Sequence, residues 1–277
     1  MKTLLEVLQA TSAYFGKRGI ESPRLNAEHL IAHTLKKRRI DLYLEFDRPL
    51  SESELEPMRE LVRQRGDGVP LQHLLGTVEF YGRTFRCDAR ALVPRPETEE
   101  LVEQILKHGK PSRILDVGTG SGVIALTLAA ELPGATVHGI DISGDALKLA
   151  QENAMLLGLT DRVRFWESDL LSAVDGTYDL VAANLPYIAA DAVPTLSREV
   201  QQDPHVALNG GAAGHEIIEK LISSAPQHLA PGGLLALETG GENQPQLLTG
   251  ALEKAGFTNI RCTADLQGVT RFVFADR

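Results

Sequence analysis

Within four residues, Asn184-Leu185-Pro186-Tyr187 gathers a side-chain amide, backbone carbonyls and an aromatic ring. Asn184 Oδ1 and the Leu185 carbonyl can accept the two protons of a planar NH2 group, and the Tyr187 ring can stack on its plane. Such a nitrogen is a poor nucleophile, because its lone pair is delocalised into a carbonyl or a ring. Holding both protons fixes it, favours pyramidal geometry and aims the lone pair at an electrophile. No strong base is needed beforehand, since the proton can leave once the nitrogen has become cationic. The bland alternative is a Pro-containing turn with a packed Tyr, and the combination with a glycine loop upstream argues against it.

The electrophile is suggested about 60 residues upstream, where Gly118-Thr119-Gly120-Ser121-Gly122 follows the expected buried strand Ile114-Leu115-Asp116-Val117 and precedes the apolar helix Val123 to Leu132. The glycines allow a sharp turn and close approach of a ligand, and the helix offers its first N–H groups. The spacing is G-x-G-x-G, not the G-x-G-x-x-G of pyrophosphate sites, and suits the amino-acid end of S-adenosylmethionine, which leaves as S-adenosylhomocysteine. Asp141, with Ile142 beside it, closes the next strand and is placed to accept from both ribose hydroxyls. A dinucleotide site would also use an acid there. Ser168-Asp169-Leu170 falls where an adenine amino group would find an acceptor and where Leu170 could cover the ring. Asp169 reads equally well as a helix N-cap. Loop and tetrapeptide together predict methyl transfer to a planar nitrogen.

The elements around these residues alternate. Strands are expected at Ile114 to Val117, Thr136 to Ile140, Val163 to Trp166, Tyr178 to Ala183 and Leu234 to Glu238, with helices between them, one of them from about Asp145 to Leu157. The alternation implies an α/β, doubly wound and mostly parallel sheet with ligands at the C-terminal strand ends. Thr258 to Cys262 and Arg271 to Phe274 have no helix between them and read as an antiparallel hairpin at one edge, as in Rossmann-like class I methyltransferases. Residues 1–75 read instead as a small helical domain, with Ser22-Pro23 and Ser53 as start signals and Gly66 as a stop. Thr77 to Cys87 reads as a hairpin within a linker over 76–90, leaving 91–277 as the catalytic domain.

Composition sets limits. With 277 residues, 43% hydrophobic and 23% charged, the chain has the profile of a globular protein of two unequal domains. Of 28 Lys plus Arg and 37 Asp plus Glu, residues 1–75 hold 12 and 11, so 16 and 26 fall in the rest. An acidic catalytic part argues against a grip on nucleic-acid phosphates. The basic run Lys36-Lys37-Arg38-Arg39 reads as a solvated helix C-terminus. Glu6 and Gln9 interrupt the apolar N-terminus too early for a signal peptide, and no run is long enough for a membrane span, so a cytoplasmic protein is expected. Cys87 and Cys262 read as reduced structural thiols. His29 and His33 share a helix face but lack a third ligand, and no metal is expected.

The motifs also carry a resemblance that spans almost the whole chain. Val93-Pro94-Arg95-Pro96-Glu97-Thr98-Glu99, Asp116 to Gly122, Asn184 to Ile188, Glu199 through Leu208-Asn209-Gly210-Gly211, and Pro231 to Glu238 resemble the bacterial peptide chain release factor N(5)-glutamine methyltransferases, the HemK/PrmC family. That resemblance implies a helical N-terminal domain joined by a hairpin to a methyltransferase domain. It implies methylation of the glutamine in the Gly-Gly-Gln loop of class I release factors. The N-terminal domain, without evident chemistry and tethered to the catalytic one, is expected to contact the release factor, and a monomer is expected. Asn184, Leu185, Pro186 and Tyr187 would hold the substrate amide, and Gly118 to Gly122 with Asp141 the cofactor. Arg95, Pro96 and Glu97 either line the mouth of the site or simply start a helix. One residue departs: the family usually has Asn-Pro-Pro-Tyr, and Leu185 replaces the first proline. Its carbonyl survives, but the fixed φ of proline is lost, a loosening of about 0.5 to 1 kcal/mol. A ribosomal-protein glutamine methyltransferase, an adenine-amine nucleic-acid methyltransferase and a non-catalytic cofactor-binding scaffold are the competing readings.

Overall fold

The computed structural model describes residues 2–241 and 243–277, and the chain divides into two compact units. The first comprises Met1–Thr77 and Ser197–Gln202; the second comprises Val78–Leu196 and Asp203–Arg277.

The first unit is helical: α1 (Leu4–Lys17), α2 (Pro23–Leu35), α3 (Glu52–Gly66) and the short α4 (Leu71–Leu75). Thr3 and Glu6 form a reciprocal capping box that starts α1. Ser22 does not cap α2 with its side chain; its backbone is left-handed, and Pro23 at the first helical position supplies the start. Leu4, Leu8, Phe15, Leu30, Ile31, Leu42 and Leu50 form the core. The basic run lies at the C-terminal end of α2, mostly exposed as its composition suggests, and three of its four side chains are ion-paired. Lys36 ends α2 in a left-handed conformation, Lys37 pairs with Glu45, Arg38 with Asp41 and Arg39 with the buried Glu28. Arg65, 3% exposed, donates to Asn26 Oδ1 (2.7 Å), the Val69 carbonyl (3.1 Å) and Glu199 Oε2 (2.7 Å). Residues 197–202 thus complete this unit from far along the chain.

All but the first residue of a hairpin, β1 (Thr77–Phe80) and β2 (Arg83–Arg86), opens the second unit. Tyr81 and Gly82 both have positive φ, as a two-residue turn of the type favoured by strand twist requires. Phe80 and Phe85 meet edge to face within the core of this unit, so by packing the hairpin belongs to it. Then follow α5 (Pro96–His108), β3 (Arg113–Val117), α6 (Val123–Glu131), β4 (Thr136–Asp141), α7 (Gly144–Leu156), β5 (Val163–Glu167), β6 (Tyr178–Asn184), β7 (Ile188–Ala189), α8 (His205–Leu208), β8 (Asn209–Gly211), α9 (Glu216–Ser224), β9 (Leu229–Glu238), α10 (Gln244–Lys254), β10 (Thr258–Ala264) and β11 (Thr270–Asp276). Seven strands make one sheet in the order β10-β11-β9-β6-β3-β4-β5, with β11 antiparallel to both its neighbours and the other pairings parallel. The mixed α/β fold and its antiparallel edge are as the strand pattern predicts.

Alternation along the strands feeds two cores. Ile114, Leu180 and Ala182 face α5 and α6, whereas Leu115, Val181 and Ala183 face α9 and α10. β3 pairs with β4 on one side and β6 on the other, so the chain reverses its winding direction between β3 and β6. A crevice opens there, at the C-terminal strand ends. No helix among the described residues is long and apolar enough to cross a membrane.

Candidate active site

The loop from β3 to α6 is held from below by Asp116. This fully buried carboxylate accepts from Thr119 Oγ1 at 2.6 Å and from the Ala125 N–H at 3.1 Å, while its Oδ1 has no partner among the described residues. Burial pushes its pKa up to about 7. The loop glycines 118, 120 and 122 all have left-handed φ. At Gly118, whose φ is 71°, an added Cβ would come within 2.7 Å of Leu185 Cδ2, so the 118–122 loop and the 184–187 segment touch there. Leu185 itself is 5% exposed, and its side chain packs into the core and over the loop.

Asp141 ties the loop from the side. Its Oδ2 accepts from the Gly120 N–H at 2.8 Å and its Oδ1 from the Ser143 N–H at 2.9 Å. Burial raises its pKa, opposed by these backbone donors. Each oxygen keeps lone-pair capacity for a ligand hydroxyl. Ser168 Oγ donates to the Leu170 carbonyl at 2.7 Å and accepts from the Ala173 N–H at 3.1 Å, folding residues 168–173 into a turn. No helix follows Asp169; it is exposed in that turn, and Leu170 is half-buried with φ 48°.

At the end of β6, Asn184 Nδ2 donates to Thr98 Oγ1 at 3.0 Å, and Thr98 Oγ1 donates to Glu238 Oε2 at 2.8 Å. Glu238 is 2% exposed, and burial raises its pKa to about 7. The backbone after Asn184 is clasped by glycines: a Cβ on Gly210 would meet the Pro186 carbonyl at 2.6 Å and Tyr187 Cα at 2.8 Å. β7 and β8 pair in parallel over this clasp. The Tyr187 ring lies against Gly240, its carbonyl accepts from Gln244 Nε2 at 3.2 Å, and burial pushes its hydroxyl up to about 12.

A cavity of about 250 Å³ occupies the crevice. Of the residues expected from sequence, Gly118, Thr119, Gly120, Ser121, Asp141, Ile142, Asp169, Leu170, Arg95, Asn184, Leu185 and Pro186 line it together. Gly122, Pro96, Glu97 and Tyr187 are not among its lining residues. Gly122 precedes α6 and packs on Ala150; Pro96 and Glu97 form the first turn of α5. Both readings of the 94–98 segment hold in part, because it starts α5 while Pro94, Arg95 and Thr98 line the cavity. Arg95 is engaged at 2.9 Å by Asp203, whose side chain is 1% exposed and also accepts from the Val93 N–H. Thr98, Asp116 and Glu238 lie within motifs visible in sequence but have no role assignable from spacing. Val206, within the 199–211 segment but given no role there, also lines the cavity, and Ile217 and Lys220 line it from a stretch without any motif signal.

Residues 6–76 match the PrmC N-terminal domain and residues 96–208 match the methyltransferase small domain. Proteins named release factor glutamine methyltransferase are 39% identical in Chlorobaculum tepidum (97% of this chain, 95% of that one) and 41% in Rhodopirellula baltica (98% and 95%). The same name applies to a Geobacter sulfurreducens protein 38% identical over 98% and 95%. Among solved structures, a Pyrococcus furiosus methyltransferase aligns with a TM-score of 0.56 at 20% identity, covering 71% of this chain and 89% of that one. The catalytic domain of hMettl16 in complex with a MAT2A 3′UTR hairpin aligns at 0.58 and 15% identity, covering 81% and 82%. At these identities the structures report the fold alone. With near-full-length similarity at about 40% identity and both family domains matched in order, the chain belongs to the release factor glutamine methyltransferases.

Proposed function

We propose that this enzyme methylates the side-chain amide nitrogen of the glutamine in the Gly-Gly-Gln motif of class I peptide chain release factors, using S-adenosylmethionine. The observation that carries the reading is the single cavity in which the loop 118–121, Asp141 and the acceptor residues Asn184, Leu185 and Pro186 converge at the β3–β6 crevice. The residues fit the cofactor's chemistry. A glycine cradle admits its amino-acid end, Asp141 has acceptor capacity for ribose hydroxyls, and Ile142 and Leu170 offer apolar surface to an adenine ring.

When bound, S-adenosylmethionine supplies an electrophilic methyl carbon. The chain's residues prepare the other partner. Asn184 Oδ1 and the Leu185 carbonyl accept the two amide protons, so the glutamine nitrogen is fixed with its lone pair free. As carbon bonds to nitrogen, positive charge develops there, and the same two oxygens stabilise it. The extra proton then leaves to water, giving methylated glutamine and S-adenosylhomocysteine. Pro186 limits the backbone, and Tyr187 buttresses the segment, with its ring a candidate for stacking on the amide plane. Arg95, Pro96 and Glu97 are assigned to the substrate side, and the helical unit to recognition of the release factor. The protein acts as a cytoplasmic monomer without a nucleic-acid substrate.

The test is incubation with labelled S-adenosylmethionine and, separately, a release factor, ribosomal protein and DNA. Label in the release factor, lost when its motif glutamine is replaced, is the expected result. Label in DNA or ribosomal protein alone would overturn the reading, and bound cofactor with no transfer would point to a scaffold.

A further inference from the structure

A carboxamide presents oxygen at one end and NH2 at the other, and only the oxygen of Asn184 can serve a substrate amide. Something must therefore choose the end. An ionised carboxylate can only accept hydrogen bonds, so the one hydroxyl proton of Thr98 goes to Glu238 at 2.8 Å. Thr98 Oγ1 then meets Asn184 as an acceptor, which binds Nδ2 at 3.0 Å and turns Oδ1 away from Thr98. Resting on the methyl-transfer reading above, we propose that Thr98 and Glu238 are positioning residues whose directional chain, from Asn184 to Thr98 to Glu238, keeps the Asn184 oxygen facing the substrate nitrogen.

The burial of the chain makes the choice firm. Thr98 is 3% and Glu238 2% exposed, so water does not compete for either group. Three elements meet there: Thr98 from α5, Asn184 from β6 and Glu238 from β9, with sequence separations of 86 and 140 residues. The ionisation of Glu238 is set by burial, which raises its pKa, then by the Thr98 hydrogen bond and Arg271 on β11, which lower it, and by Glu97 on α5, which raises it. The Asn184 amide lowers it as well. The Tyr187 hydroxyl also faces Glu238, while Arg271 is shared with Asp265 at 2.8 Å. Protonated Glu238 can donate to Thr98, and the chain then loses its direction. Turnover therefore rises with pH as Glu238 ionises.

The test uses the full-length protein and three variants: Thr98→Val, Thr98→Ser and Glu238→Gln. Thr98→Val and Glu238→Gln should lower kcat for release factor methylation by about 10- to 100-fold, by analogy with the loss on removing the outer partner that orients a metal ligand. Affinity for S-adenosylhomocysteine and KM for the release factor should stay as in wild type. Thr98→Ser should recover most of the turnover, and the rise with pH through neutrality should vanish in Glu238→Gln. A Thr98→Val enzyme with wild-type kcat would overturn the inference, as would a Glu238→Gln enzyme that keeps the pH rise. Should the wild-type protein methylate no release factor, the substrate reading fails, and the chain is read directly from the Asn184 side-chain NH2 signals of 15N-labelled protein. The expected result is one slowly exchanging proton in wild type that is lost in Thr98→Val. Equal, rapid exchange in both proteins overturns the inference on its own.

Discussion

Replacing Asp141 by Asn tests the donor site most directly, because one carboxylate performs two separable tasks. In the folded chain it accepts from Gly120 at 2.8 Å and from Ser143 at 2.9 Å. An amide has one oxygen, so its NH2 must face one of these donors. That N–H loses its partner at a cost of about 1 to 3 kcal/mol, and the surviving bond falls from the charged to the neutral range, about 1 kcal/mol less. The variant should therefore be about 2 to 4 kcal/mol less stable. In a unit of about 200 residues this corresponds to a fall in Tm of roughly 5 to 15 °C. The second task, on the proposed cofactor reading, is ribose recognition. Losing one charge-assisted bond of about 1.5 to 3 kcal/mol should raise the Kd for S-adenosylhomocysteine about 10- to 150-fold. Differential scanning calorimetry reads the first quantity and titration calorimetry the second. A lower Tm with unchanged affinity would leave Asp141 as a loop anchor and refute its assignment to the ribose; wild-type values for both would refute the whole argument.

Further outcomes follow from the same geometry. Asp116 and Glu238 both have folded pKa values raised to about 7, so the native state binds more protons than the unfolded chain between roughly pH 4 and 7, and stability should fall as pH rises through that window. Thermal melts from pH 5 to 8 check this, and Glu238→Gln should flatten the slope; a slope equal to wild type would count against a buried, proton-binding Glu238. Gly210→Ala drives a methyl into backbone at 2.5 to 2.8 Å and should lower turnover and cost about 1 to 3 kcal/mol. Gly250→Ala within α10 meets nothing within 4 Å and should stabilise by about 0.5 to 1 kcal/mol, so similar Tm values for the two variants would refute the clasp. Leu185→Pro should raise turnover by up to about fivefold if a restrained φ preorganises the acceptor carbonyl. Equal or lower turnover would remove that argument, and the packing of the Leu185 side chain over Gly118 would then be its main contribution.

What was legible in sequence is what local periodicity and punctuation encode. The strand, glycine loop and helix around Gly118, the acid closing β4 and the amide closing β6 each occupy one contiguous stretch, and each lies where the pattern puts it. The start of β9 was not legible. The strand is expected from Leu234, yet it begins at Leu229 and absorbs Pro231, Gly232 and Gly233 in a register shift against β6 between Tyr178 and Leu180. The five-residue α4 is shorter than any window in which helical periodicity shows. The ion pairs of Lys37, Arg38 and Arg39 depend on which carboxylates the fold brings near. The Asn184–Thr98–Glu238 chain and the Arg95–Asp203 pair join residues 86 to 140 positions apart, and only strand order makes them neighbours.

The Arg65–Glu199 pair means that the helical unit is not a prefix of the chain. Its last piece, Ser197–Gln202, is separated from Thr77 by 119 residues, a delay of about 6 to 24 s at a synthesis rate of ~5–20 residues per second. Until then Arg65 lacks one of its three acceptors, although a guanidinium buried to 3% needs a charged partner. The helical unit therefore reaches its final form only after β6 and the Asn184 segment have been made, and a fragment ending at residue 77 is a precursor of that unit rather than the unit itself.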